Sequence, residues 1–162
     1  MTVSRLLIVL NAALLILSGV AKAEPDKTLY LQTSLYTKHF HTNKYHNDKQ
    51  ELISLEWFYP AKSSDLLGAT TFRNSFNQRC EYLYWGRQYP LSNIQEGMRA
   101  KVTLGLLHGY KGKHQNSIPL NNFGTAPAVI PTIGYENRYF GVDVIMLGVS
   151  AVMLTVGVSL GK

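Results

Sequence analysis

The chain has 162 residues, a formal charge of +6 and a single cysteine, Cys80. That length supports one domain with its own core, and one thiol excludes an internal disulfide framework. The basic excess is too dilute for a nucleic-acid binder and suits an anionic surface better.

The first predicted element is a leader. Arg5 precedes the apolar run "LLIVLNAALLILSGV", and "AKA", Ala21 to Ala23, has the small-x-small form of a cleavage site. These features predict a secretory signal peptide over residues 1–23, with an uncleaved membrane anchor as the alternative. The mature domain is then 24–162, and without Arg5 and Lys22 its charge falls to about +4. Export also argues against nucleic acid as a partner.

From Leu29 the chain repeats one unit, about ten residues of alternating character followed by a turn. The runs are 29–41, 51–59, 66–76, 79–89, 98–110, 126–135, 138–147 and 151–160. Pro60 with "AKSSD", Asn77-Gln78, Pro90, the polar loop "KGKHQNSIPLNNFGT", Glu136-Asn137 and Gly148 to Ser150 separate them. Strands that cross a bilayer at a tilt have this length and this alternation. In the last run Val152, Leu154, Val156, Val158 and Leu160 share one face, and Met153, Thr155, Gly157 and Ser159 the other. The expected fold is all-β, an eight-stranded antiparallel up-and-down transmembrane β-barrel, apolar outside and small or polar in its lumen.

Two other folds compete. "VIMLGVSAVMLTVGVSL", 144–160, could form one membrane helix, although Asp143, the valines and the period of two oppose it. A soluble lipocalin-type barrel has the same strand number with inverted polarity. Aromatics near strand ends, including Tyr30, Trp57, Tyr59, Tyr84, Trp85, Tyr89, Tyr135 and Tyr139, fit interfacial girdles, and equally fit a core.

In such a meander the loops 42–49, 77–78, 111–125 and 148–150 share one end. Arg73, Asn74, Ser75, His39, His41, His108 and Tyr110 gather there. A serine beside a histidine is the minimum for an activated nucleophile, although most rim residues are only solvated. Lys44, Lys111 and Lys113 are candidates for lipid-phosphate contacts. Pro127 and Pro131 cannot donate to a ladder, so they either weaken one strand pairing or end a short strand. His39, His41 and His46 lie close in sequence but lack the acidic partner of a zinc helix motif, so no metal and no cofactor is expected.

Three collinear stretches carry a resemblance. Phe72-Arg73-Asn74-Ser75-Phe76-Asn77 closes the third run, Gly86 follows on the next, and "IPLNNFGTAPAVIPTIGYE" spans Ile118 to Glu136. Together they resemble the lipid A palmitoyltransferase (PagP) family of the Gram-negative outer membrane, which has an F-K-D-S-W-N-like motif, a pocket-depth glycine and an "IPLP…P…SVGYG" stretch in the same order. The resemblance spans most of the mature chain. It implies an outer-membrane acyltransferase that moves a palmitoyl-like chain from phospholipid to lipid A. Membrane lipids are then the partners, and the barrel is expected as a monomer.

By position, the family's serine corresponds to Ser75 and its aspartate to Asn74, which cannot ionise. Its histidine, in a W-H-x-R-F context, falls on Thr37 of "YTKHF", with His39 and His41 two and four residues on. Ser75, His39, His41 and Asn74 are thus the expected catalytic residues. Gly86 is expected at the acyl-pocket floor, and Pro127 and Pro131 at a lateral lipid entrance. Asn74 also leaves open a non-catalytic barrel of this type that binds lipid as a structural or sensing component.

Overall fold

A computed structural model describes residues 29–40, 47, 50–59, 64–137 and 140–160. The expected signal peptide lies outside these residues, as do His41 and Lys44. Eight strands follow in order: β1 (Leu29–His39), β2 (Ile53–Phe58), β3 (Asp65–Arg73), β4 (Arg79–Pro90), β5 (Met98–His108), β6 (Thr125–Glu136), β7 (Phe140–Leu147) and β8 (Ala151–Leu160). Each pairs antiparallel with its sequence neighbours, and β1 pairs with β8 to close the barrel. Closure leaves no free sheet edge.

The strand ends differ from the expected runs by up to three residues, most at the end of β3. β3 ends at Arg73 rather than at residue 76, because Asn74 to Gln78 form a turn with Asn77 at φ +62. The loop after β5 contains a short 3₁₀ helix, Gly112–Ser117. The segment 144–160 is not a helix. It divides into β7 and β8 at a turn where Gly148 has φ +60.

Polarity decides against the lipocalin arrangement. In β8 the expected faces hold: Met153, Thr155 and Gly157 are buried, whereas Val158 and Leu160 are exposed. Around the outer wall Ile53, Leu83, Leu104 and Leu106 are 57, 65, 53 and 60 % exposed. The lumen buries Gln32, Ser54, Glu56, Arg99, Lys101 and Asp143. The aromatics sort by the same alternation. Trp57, Trp85 and Tyr135 lie on the wall, whereas Tyr30 and Tyr84 point inward, so the latter two are core residues rather than girdle.

The half of the lumen at the turn end is a charged plug. Arg99 donates to both oxygens of Asp143 at 3.0 and 2.8 Å, to Gln88 at 3.2 Å and to Glu136, and its guanidinium lies 4.8 Å from the centre of the Tyr30 ring. Tyr30 fits because glycine stands opposite it twice; a Cβ at Gly141 or Gly157 would lie 2.5 Å from its ring or hydroxyl. A second cluster centres on Glu56, which accepts from Lys101 at 2.6 Å and from Tyr84 at 3.0 Å. Buried charge is tolerable when paired and hydrogen-bonded in this way. Toward the loop end the contents turn apolar, with Phe72, Cys80, Leu107, Ile130, Ile145 and Met153.

This arrangement predicts an asymmetry between single and double substitutions. Lys101→Ala strands the Glu56 carboxylate and should cost about 3 to 5 kcal/mol, whereas Lys101→Met with Glu56→Leu should recover most of that loss. Urea unfolding checks it, and equal midpoints for the two variants would contradict it.

Candidate functional site

The loop end of the barrel brings together two residues 36 positions apart. His39 Nε2 and Ser75 Oγ are 2.7 Å from one another. Two local irregularities make the contact.

The first is in β1. Its register against β8 shifts between Ser34 and Tyr36, so Leu35 is an extra residue, and Leu35 and Tyr36 both face out. A β-bulge of this kind reverses the parity of everything after it. Before the bulge Tyr30 and Gln32 point inward; after it Thr37 and His39 do, opposite the inward residues Met153 and Ala151 of β8. Were Leu35 held in the regular ladder instead of bulged out, His39 would share the outward face of Leu29, Leu31 and Thr33.

The second is the turn that ends β3. Asn74 is buried, and its Oδ1 accepts from the amides of Phe76 and Gln78, each at 2.9 Å. Its Nδ2 donates to Gln78 Oε1 at 3.3 Å, and its backbone amide to Gln78 O at 2.9 Å. Asparagine favours such turns because its side chain replaces a missing backbone acceptor. Asn74 therefore shapes the turn that presents Ser75, and its polar atoms go to the turn rather than to His39. The Ser75 carbonyl accepts from the Asn47 amide at 2.8 Å, while the Ser75 amide has no partner among the described residues.

The loop after β5 braces this turn. Phe76 stacks on His114 with ring centres 3.7 Å apart and meets Tyr110 edge-on at 6.4 Å. Gln78 Nε2 donates to Lys111 O at 3.1 Å. Burial pushes the Tyr110 hydroxyl up to about 12, so that ring stays neutral beside the apolar lumen.

The remaining candidates are dispersed. Lys111 and Lys113 are exposed on the loop, and His108 faces out and bonds Thr125 at 2.8 Å. Gly86 is buried well below the pair. A Cβ there would lie 2.8 Å from Thr103 Cγ2 and 3.2 Å from Leu66 Cδ1, so neighbouring side chains take up the space the glycine leaves. Pro127 and Pro131 sit on the outward face of β6. The β6–β7 ladder runs from Glu136↔Gly141 only to Thr132↔Ile145 and stops where Pro131 begins, whereas β5–β6 stays paired from Met98 to His108. β1 and β2 likewise pair only from Leu29↔Trp57 to Thr33↔Ile53. Among the described residues these two ladders thus fall short of the loop end. Among the described residues no group of three His, Cys, Asp or Glu side chains could hold a metal ion.

Sequence inspection passed over the bulge and the charged plug. The plug had a signal: Glu56, Arg99, Lys101 and Asp143 lie on the same alternation as lumen residues of their own strands. The bulge had none, since Leu35 and Tyr36 are ordinary strand residues.

No protein-family model matches the chain, and no curated protein matches it.

Deleting Leu35 should remove the bulge and restore strict alternation, with Thr37 and His39 still paired to Met153 and Ala151 and still facing inward. In the parent, Ser75→Ala should shift the His39 Nε2 resonance in nitrogen-15 spectra. In the deletion variant the same substitution should shift that resonance as well; an unmoved resonance in a folded deletion barrel would show that Leu35 is not the extra residue in the ladder.

Proposed function

We propose that the protein spans the outer membrane of a Gram-negative bacterium and transfers an acyl chain from a phospholipid to lipid A, with Ser75 and His39 as the reacting pair. The observation that carries this reading is the 2.7 Å contact between His39 Nε2 and Ser75 Oγ at the mouth of an apolar upper lumen. Several features support the membrane setting. The wall presents large apolar side chains on every strand, while Glu56, Arg99, Lys101 and Asp143 are turned inward, the polarity that lipid demands. The leader-like start of the sequence supports export.

The chemistry follows from the pair. Ser75 Oγ attacks the donor ester carbonyl as His39 Nε2 takes its proton. The tetrahedral intermediate expels the lysophospholipid, which receives that proton, and the acyl group remains on Ser75. A lipid A hydroxyl then attacks the acyl-serine, His39 takes the hydroxyl proton, and Ser75 recovers it on release. The uncommitted Ser75 amide is suited to the developing oxyanion. The seam beside Pro131 offers a lateral path for a lipid chain, and the loop lysines Lys111 and Lys113 suit phosphate. His41 and Lys44 belong to the same rim by sequence.

One observation favours a second reading, a barrel that binds lipid without catalysis. Leu66 and Thr103 crowd Gly86, so the space beneath the pair is occupied by protein. Asn74, committed to its turn, also gives His39 no carboxylate of the kind that orients many catalytic histidines.

Mass spectrometry of lipid A from cells with and without the gene separates the two. An acyl-sized mass increase should appear with the parent and fall by roughly 10³-fold or more in Ser75→Ala and in His39→Ala, as for residues that act as one unit. The same lipid A from cells making the parent barrel as from cells lacking it would sink the transferase.

A further inference from the structure

The outer wall carries a groove that neither the rim pair nor closure of the sheet explains. Two adjoining depressions of about 580 and 420 Å³ cross β2 to β5 and share Leu55, Ala69, Leu83 and Leu106. The strand register shows how it arises. Leu55, Ala69, Leu83 and Leu106 form one outward row, with Trp57, Leu67, Trp85 and Leu104 below it. Ala69 is small among large outward neighbours, so the surface sinks there. From Thr71 to Leu67 the groove covers four strand steps, roughly 13 Å, close to one leaflet of a roughly 30 Å hydrocarbon core.

The two ends of the β3–β4 ladder differ in charge. At the turn end Asp65 stands opposite Arg87 and bonds it at 2.5 and 3.1 Å. At the loop end Arg73 stands opposite Arg79. Like charges directly across a ladder destabilise it. Arg73 is shared with Glu51 at 3.0 Å. Arg79 is exposed, donates to the Thr71 hydroxyl at 3.2 Å, and has no carboxylate partner among the described residues. Glu81, one row below, makes no ion pair among the described residues and faces His108 across the register.

We infer that this groove holds one acyl chain of an anionic membrane lipid, whose phosphate sits over the Arg73–Arg79 pair with Arg79 as principal anchor. Guanidinium groups bind phosphate oxygens through paired N–H donors, which would relieve the like-charge pairing. Apolar walls below a cationic end match a lipid in both parts, with the headgroup at the rim and the chain toward Trp57 and Trp85. The inference rests on the membrane-spanning part of the proposed function and not on the chemistry of Ser75.

The chain has two tryptophans, Trp57 and Trp85, and both line the groove. Intrinsic fluorescence therefore reports on its occupant. The full-length barrel is inserted into phosphatidylcholine vesicles that contain a small fraction of brominated phosphatidylglycerol or the same fraction of brominated phosphatidylcholine. The anionic probe should be preferred by roughly five-fold at equal fraction, the scale set by one arginine near a charged headgroup. Arg79→Gln, and Arg73→Gln with Arg79→Gln, should abolish the preference. Ala69→Leu, which fills the groove floor and keeps both arginines, should reduce it. Heat-modifiable migration in detergent gels shows that each variant is folded. Equal quenching by the two probes in the parent would overturn the site and leave the membrane reading standing. Quenching by neither probe in a folded barrel would overturn both. A preference that survives the double arginine substitution would overturn the assignment of the phosphate to that pair.

Discussion

Everything in this barrel depends on the period of two along a strand, read inside a closed ladder. Once β1 pairs with β8, each residue faces either wall or lumen, and a shift of one position exchanges the two. The large apolar side chains take the wall. That assignment leaves the charges of Glu56, Arg99, Lys101 and Asp143 no place but the interior, and there they must find one another. The Arg99 and Glu56 clusters are thus a consequence of the wall's composition, and they fill the turn end of the lumen.

The same rule explains why one extra residue matters so much. Leu35 adds nothing chemically, yet because it bulges out of the ladder rather than taking a place in it, His39 faces the lumen instead of the wall. Across the barrel Asn74 closes a turn on its own side chain and holds Ser75 at the height of His39. The pair therefore stands on two departures from regular strand geometry. Bulges and tight turns cluster at functional rims because they re-aim a side chain without altering the sheet beneath. The stacking of Phe76 on His114 couples this turn to the loop above it, so the pair is supported from two directions.

Within the proposed membrane setting, the plug and the seams divide the barrel's length by task. The half nearest the turns is filled by paired charges. The half nearest the loops is apolar inside and loosely stitched at β6–β7 and β1–β2, where the ladders stop early. Opening of the wall would cost least where the fewest backbone hydrogen bonds need to break. The wall groove across β2 to β5 lies on fully paired strands, and its shape comes from small side chains rather than from a gap.

Strand number, the order of loops and turns, and the two faces of β8 were determined by sequence alone, because alternation and turn residues are local. The sequence also singled out Ser75 with His39 and His41 as alternatives, since a serine and histidines near neighbouring rims are visible in one dimension. Only the tertiary structure decided that the two touch, because that depends on a bulge at Leu35 which no residue type announces. It also decided that the Asn74 oxygen accepts from amides two and four residues on, and that Leu66 and Thr103 from neighbouring strands lie against Gly86. Contacts of this kind depend on register between strands, which the order of residues along one strand does not contain.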